Sequence, residues 1–225
     1  MFFALLGAMA FNGHGVARAQ DASRWNNVDV NQQNSEPRRA AFFDYDSMDK
    51  GQGLEKKQSV DYNPMDGNWK FHFVKDYNKR PDRFFTTNYD DSAWANFPVP
   101  GLFELNGYGD ATYKNVGYAW CTQFEPKPPY ISELNNYTGS YRRTFDLPTN
   151  WKGKDVYFHV GSATSNLTLW VNGKYVGYSE DSKVAAGVEV EATIAKAWIV
   201  VDVAALCHPF YAFHHVGALY LGGQQ

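Results

Sequence analysis

Apolar and polar positions alternate most sharply between residues 165 and 182, SNLTLWVNGKYVGYSEDS. Leu167, Leu169 and Val171 alternate with Thr168 and Trp170, Asn172-Gly173 interrupts, and the alternation resumes from Lys174 to Tyr178. A two-residue break between period-two runs, with both residues able to take positive φ, predicts a β-hairpin closed by a type I′ turn. Such a turn sets Leu169 opposite Val176 and Leu167 opposite Tyr178 on one face, and Trp170 opposite Tyr175 on the other. The first face is expected in the core. The second carries an aromatic pair and is either covered by another layer or open as a platform.

The same period recurs elsewhere. Trp69, Phe71 and Phe73 alternate with Lys70, His72 and Val74, residues 140–145 form a second run, and Val156, Phe158 and Val160 oppose Tyr157 and His159 across a third. Residues 151–154 make the turn between the last two. Short alternating segments with frequent Gly and Pro breaks predict an all-β, antiparallel β-sandwich over about residues 69–178. His72 falls on a polar face, and no second His or carboxylate stands at metal spacing from it, so it reads as structural. Asp90 and Asp91 are adjacent, so their side chains diverge; they read as turn residues and not as an acid/base pair. Residues 98–118 are dense in Gly, Pro and Asn, and a loop this long in a compact domain is where function concentrates.

The ends of the chain carry a different pattern. Residues 2–11 are apolar, and Ala17-Arg18-Ala19 offers small residues where a signal peptidase reads. Residues 1–19 thus resemble a signal peptide too short to span a membrane, implying a periplasmic or secreted protein that begins near Gln20; a partly helical N-terminus is the alternative. Residues 20–60 show no sustained period and read as an irregular N-terminal arm. Residues 187–225 carry no charge after Asp202 and no clear period, and are expected to pack poorly. Cys207, His208, His214 and His215 fit no closed zinc spacing. Pro209 and the histidines interrupt the apolar run that a membrane anchor needs. Cys121 and Cys207 are free to pair in an oxidising compartment, yet nothing in the sequence brings them together. Asn136 and Asn166 open formal glycosylation sequons, the second inside the hairpin.

Composition narrows the function classes. With 225 residues, 44% hydrophobic and 17% aromatic, the chain is long enough for one packed domain plus extensions. The 21 basic against 24 acidic residues leave a net charge of −3, without a basic patch for nucleic acid. Fifteen Tyr, sixteen Phe and seven Trp suit both a sandwich core and sugar stacking.

The run L-W-V-N-G-K-Y-V-G-Y-S-E-D-S resembles the sugar-binding domain that begins the large bacterial β-galactosidases of glycoside hydrolase family 2. Other stretches follow in that family's order: D-G-N-W-K-F from Asp66, V-P-G-L-F-E from Val99, G-Y-G from Gly107, Y-K-N-V-G-Y from Tyr113 and T-G-S-Y-R-R-T-F from Thr138. Asn31, Glu36 and Pro37, followed by Phe42-Phe43, look like the family's arm that runs over neighbouring domains. The resemblance covers about residues 25–186; the family's closing acidic segment is then missing, as a shifted frame or a truncated gene would leave it. It implies a jelly-roll-like, galactose-binding-like sandwich over residues 61–186, with 187–225 as a divergent tail.

For function, the resemblance implies a role in hydrolysing terminal β-D-galactosides. Family members retain configuration with two glutamates roughly 5 Å apart, held on a (β/α)₈ barrel. None of Glu104, Glu125, Glu133 and Glu180 matches either one, so no catalytic residue is assigned to this chain. Asn115, in Y-K-N-V-G-Y, matches the asparagine that reaches into the neighbouring barrel and hydrogen-bonds galactose. An amide suits a sugar hydroxyl, because it both donates and accepts. On the residues alone, Asn115 reads as a loop-stabilising side chain. The expected partners are a galactoside or other carbohydrate and the catalytic barrel, with no nucleic acid and no membrane span. Full-length relatives use magnesium and sodium; no cofactor or metal ligand is assigned here. A stand-alone carbohydrate-binding module, with Trp170 and Tyr175 exposed, or a non-functional truncated product are the alternatives.

Overall fold

The structure, a computed structural model, describes residues 24–37, 43–53, 55–110, 127, 129–180, 184–190, 196–204, 215–216 and 219–224. Its strands are β1 (Gln32–Gln33), β2 (Tyr62–Pro64), β3 (Gly67–Val74), β4 (Ala95–Val99), β5 (Gly101–Leu102) and β6 (Thr138–Asp146) in the first two thirds of the chain. β7 (Asp155–Val160), β8 (Asn166–Val171), β9 (Lys174–Ser179), β10 (Ala186–Val190), β11 (Lys196–Ala204), β12 (His215–Val216) and β13 (Leu219–Gln224) follow. One short helix, α1 (Met48–Gly53), and single 3₁₀ turns are the helical content of the described residues, and no helix among them is long and apolar enough to cross a membrane.

The strands form two antiparallel sheets, ordered β1-β9-β8-β11-β6-β3-β4 and β10-β7-β13-β2, with β12 and β5 as a separate pair. One apolar cluster joins them: Trp69 and Phe71 of β3, Tyr141 of β6 and Leu167, Leu169 and Val171 of β8 meet Val156, Phe158 and Val160 of β7 and Val188 and Val190 of β10. The all-β sandwich anticipated from the alternation is the observed fold. Each core residue named by period two in β3, β7 and β8 faces inward, because one face of each sheet lies against the other sheet.

The hairpin turns at Asn172 (φ 51°) and Gly173 (φ 80°), the left-handed pair that a type I′ turn needs. Its register departs from expectation two residues further on. Trp170 pairs with Tyr175, but Leu169 pairs with Gly177 and Leu167 with Ser179, since a bulge at Val176 inserts an extra residue. The Val176 carbonyl accepts a hydrogen bond from Asn34 Nδ2 at 2.9 Å, and a Cβ on Gly177 would stand 2.7 Å from Val188 Cγ1. The bulge therefore serves long-range partners, which the turn sequence does not encode. It turns Tyr178 to the Thr168 face of the sheet.

Residues beyond Ala186 are built into both sheets. β11 lies between β6 and β8, β13 lies between β7 and β2, and Val200 and Val201 are fully buried. The boundary expected at Ala186 is thus not the edge of the sandwich. Val200 and Val201 lie on opposite faces of β11 and are both buried, so the near-continuous apolar run W-I-V-V-D-V-A reads as a central strand, which has no polar face to alternate with.

Part of the N-terminal arm packs on the sandwich itself. β1 pairs with the β9 edge, Ser35 bridges Val188 of β10, and Glu36 N–H donates to the Gly187 carbonyl at 2.8 Å. Residues 32–36 strap one sheet to the other. Upstream, Trp25 is buried against Tyr77 with ring centroids 4.2 Å apart.

Candidate functional site

The loop singled out by composition starts from a well-fixed base. β4 ends at Val99 and β5 follows at once, a close approach that requires glycine: a Cβ on Gly101 would stand 2.1 Å from the Pro98 carbonyl oxygen. Phe103 then inserts into the core beside Phe71, Phe97 and Tyr141, over Gly139, whose absent Cβ leaves the space its ring fills. A 3₁₀ turn at residues 104–106 closes on Gly107 (φ 83°), and Tyr108 folds back on Phe71 and Phe73.

Gly109 and Asp110 complete this rim. Gly109 (φ 73°) passes the Tyr137 ring, and the Tyr137 hydroxyl donates to Asp110 Oδ2. Lys75 Nζ stands 3.7 Å from the same carboxylate, both side chains being 61% exposed. On the facing segment, Asn135 N–H donates to Asp76 Oδ1 at 2.9 Å. Burial, and then the hydrogen bond and charge of Asp110 with lesser pressure from Asp76 and Glu104, pushes the Tyr137 phenol well above its ordinary pKa. The rim is thus an acidic surface with one buried hydroxyl donor and one exposed cation.

Asn115, the sugar-contacting residue expected from the sequence, lies outside the described residues, as do Glu125, Cys121 and Cys207. The described chain leads to Asp110, five residues before Asn115, and resumes at Lys127, which bridges Tyr130. Glu104 sits in the 3₁₀ turn, Glu133 is exposed with its carbonyl accepting from Tyr77 N–H, and Glu180 accepts from the Tyr178 hydroxyl at 2.6 Å. Burial raises the pKa of Glu180. Among the described residues no three of His, Cys, Asp or Glu converge on one point.

The aromatic pair of the hairpin is not an open platform. Trp170 is 1% exposed, stacked on Phe85 at 5.5 Å and met edge-on by Phe84. Its cover is held by Arg142, itself 1% exposed, whose Nε lies 2.8 Å from Asp91 Oδ2 and whose guanidinium also donates to the carbonyls of Phe84 and Thr86. Tyr175 is partly buried under Arg24, and its hydroxyl donates to Gln33. Asp90 accepts from Ser92 N–H as a turn residue does, whereas Asp91 is a structural counter-ion, a role its neighbours in sequence do not disclose.

The molecule is a small antiparallel sandwich with a glycine-bearing rim. Residues 62–209 match the glycosyl hydrolases family 2, sugar binding domain. The chain belongs to that family, through this domain. A β-galactosidase of Priestia megaterium is 33% identical over 178 residues, 79% of this chain and 17% of its own length. A second, from Halalkalibacterium halodurans, is 37% identical over 118 residues, 52% of this chain and 12% of its own. The chain therefore spans less than a fifth of the length of these relatives. Among solved structures, a family 2 glycosyl hydrolase from Bacteroides cellulosilyticus superposes with TM-score 0.52 at 19% identity, covering 74% of this chain and 21% of that one. This likeness shows the fold alone.

Proposed function

We propose that these residues are the sugar-binding domain of a β-galactosidase and that Asn115 supplies the amide that hydrogen-bonds a galactose hydroxyl beside a catalytic barrel. The observation that carries the reading is the 33% identity to a β-galactosidase across 79% of the chain, within a sugar binding domain match. The rim supports it: Phe103, Tyr108 and Tyr137 hold residues 103–110, the described chain that precedes Asn115 in sequence. Two antiparallel sheets over one core favour the jelly-roll-like description. The apolar run at residues 2–11 with Ala17-Arg18-Ala19 supports export to the periplasm or medium.

One amide contributes only about 0.5–1.5 kcal/mol net, less than the cost of fixing a free sugar. Galactose titrated into this chain by nuclear magnetic resonance should bind no tighter than millimolar, with shifts on residues 107–110 and on the Asn115 side-chain amide. Asn115→Ala should abolish the shifts. Shifts confined to the sheet face around Trp170, or unchanged in Asn115→Ala, overturn the assignment. The chain alone should not cleave a chromogenic β-galactoside, since neither family glutamate is matched.

A further inference from the structure

Asparagine precedes glycine at residues 106–107 and 172–173, and the fold holds the two pairs differently; a third, Asn12-Gly13, lies outside the described residues. Asn172 and Gly173 are clamped in the β8–β9 hairpin. Val171 pairs with Lys174 beside them, and a Cβ on Gly173 would stand 3.7 Å from Thr86 Cα and 3.8 Å from the Phe85 carbonyl oxygen. Asn106 and Gly107 are both exposed and belong to no strand. They end a single 3₁₀ turn, in which Asn106 N–H donates to the Phe103 carbonyl at 3.0 Å and Gly107 N–H donates to the Glu104 carbonyl at a long 3.3 Å. A Cβ on Gly107 would meet nothing within 4 Å. The Asn106 side chain braces this turn, its Nδ2 donating to the Leu102 carbonyl at 2.8 Å.

We infer that Asn106 is a site of spontaneous deamidation and that its conversion removes the brace of the 104–106 turn. The Gly107 backbone nitrogen, after giving its proton to water, attacks Asn106 Cγ. A new C–N bond forms, the bond from Cγ to Nδ2 breaks, and Nδ2 leaves as ammonia. Water then opens the cyclic imide at either carbonyl, giving aspartate, or isoaspartate with an extra methylene in the main chain. Water is the sole co-reactant. Glycine favours the attack because no Cβ crowds its nitrogen, and a turn with few buried contacts opens at low free energy. At Asn172 the same ring closure has to break a turn fixed by the flanking ladder. A carboxylate at position 106 has no proton to donate to the Leu102 carbonyl, so the brace is lost with the amide.

The full chain, aged in mildly alkaline buffer both folded and in urea and then mapped by proteolysis and mass spectrometry, tests the site. In the folded protein the Asn106 peptide should convert about tenfold faster than the Asn172 peptide; in urea the two should agree within about twofold, because the fold alone separates them. Hydrogen exchange tests the brace. The Gly107 and Tyr108 amides should exchange about fivefold faster in Asn106→Asp than in wild type, the loss of one hydrogen bond. Asn106→Gln retains a side-chain amide donor and should lie between them, and amides of β7 should not change in either variant. Equal conversion at Asn106 and Asn172 in the folded protein, or faster conversion at Asn172, overturns the site. Unchanged exchange at Gly107 and Tyr108 in Asn106→Asp, or equal acceleration in β7, overturns the brace.

Discussion

Around β6 and β8 the inner and outer faces of the large sheet are both buried and are held by different means. Inward, Leu167, Leu169, Tyr141 and Phe71 meet the second sheet in an apolar cluster. Outward, Thr138, Ser140, Arg142, Thr168 and Trp170 lie under the segment of residues 84–94 and other cover. The inner face loses water because its side chains are apolar. The outer face is covered because a buried guanidinium grips a carboxylate and two backbone carbonyls more than 50 residues away in sequence. Such a cover is specific in geometry and intolerant of losing one partner.

The largest effect should come from breaking that grip. Asp91→Ala leaves the buried Arg142 without its counter-ion and should cost about 3–5 kcal/mol, as much as truncating an inner-face residue such as Leu169 to Ala, at about 2–5 kcal/mol. Replacing both members together, Arg142→Met with Asp91→Leu, should recover most of the loss, because an apolar pair carries no desolvation penalty. Urea unfolding of the four proteins decides the matter. A loss below about 1 kcal/mol in Asp91→Ala would mean the cover is held by Phe84, Phe85 and Trp94 and not by charge.

The contrast also explains what the sequence disclosed. Alternation showed which side chains share a face in β3, β7 and β8, and Asn-Gly located the hairpin turn, since both signals are local. Alternation cannot say whether the second face is covered. Trp170 and Tyr175 read equally as core or platform from sequence, and Phe85 stacked on Trp170 makes the first of them core. The bulge at Val176 and the strap of residues 32–36 answer to each other across more than 140 residues. β11 was missed for a related reason: a central strand has no polar face to alternate with. At the rim, Gly and Pro density singles out residues 98–118 in the sequence, but Tyr137 and Asp110 give no signal because the 26 residues between them carry no period linking the two.

A second difference between the sheets should appear with pH. His159 of β7 is held down to about 4, mainly by burial and secondarily by the charge of Lys56. The ordinary value is 6.5, so between pH 6.5 and 4 the unfolded chain takes up a proton that the folded one refuses. Stability then rises with pH across that window and falls as pH drops through it. The lowered value corresponds to at most about 3 kcal/mol, and to less in practice because the ring is only partly buried. Unfolding midpoints of wild type and His159→Gln, compared at pH 7 and pH 4.5, isolate this contribution from that of the carboxylates. Parallel pH profiles for the two proteins would remove His159 from the acid response.

The smallest effect tests the strap that ties the two sheets at one edge. Asn34 takes a left-handed φ of 54° and donates Nδ2 to the carbonyl of the bulged Val176 at 2.9 Å. Two properties of asparagine are in use there, tolerance of that backbone region and a side-chain donor. Asn34→Ala removes both and should cost about 1–2 kcal/mol; Asn34→Gly keeps the backbone freedom and should cost roughly half as much. The loss should be local, because Glu36 N–H still bonds the Gly187 carbonyl and β1 still pairs with β9. Hydrogen exchange at Gln33 and Tyr178 is the proper reading, since these partner residues open first if the strap lifts. Equal exchange in all three proteins would show that β1 pairing alone holds the strap and that the bulge at Val176 is set by Gly177 under Val188.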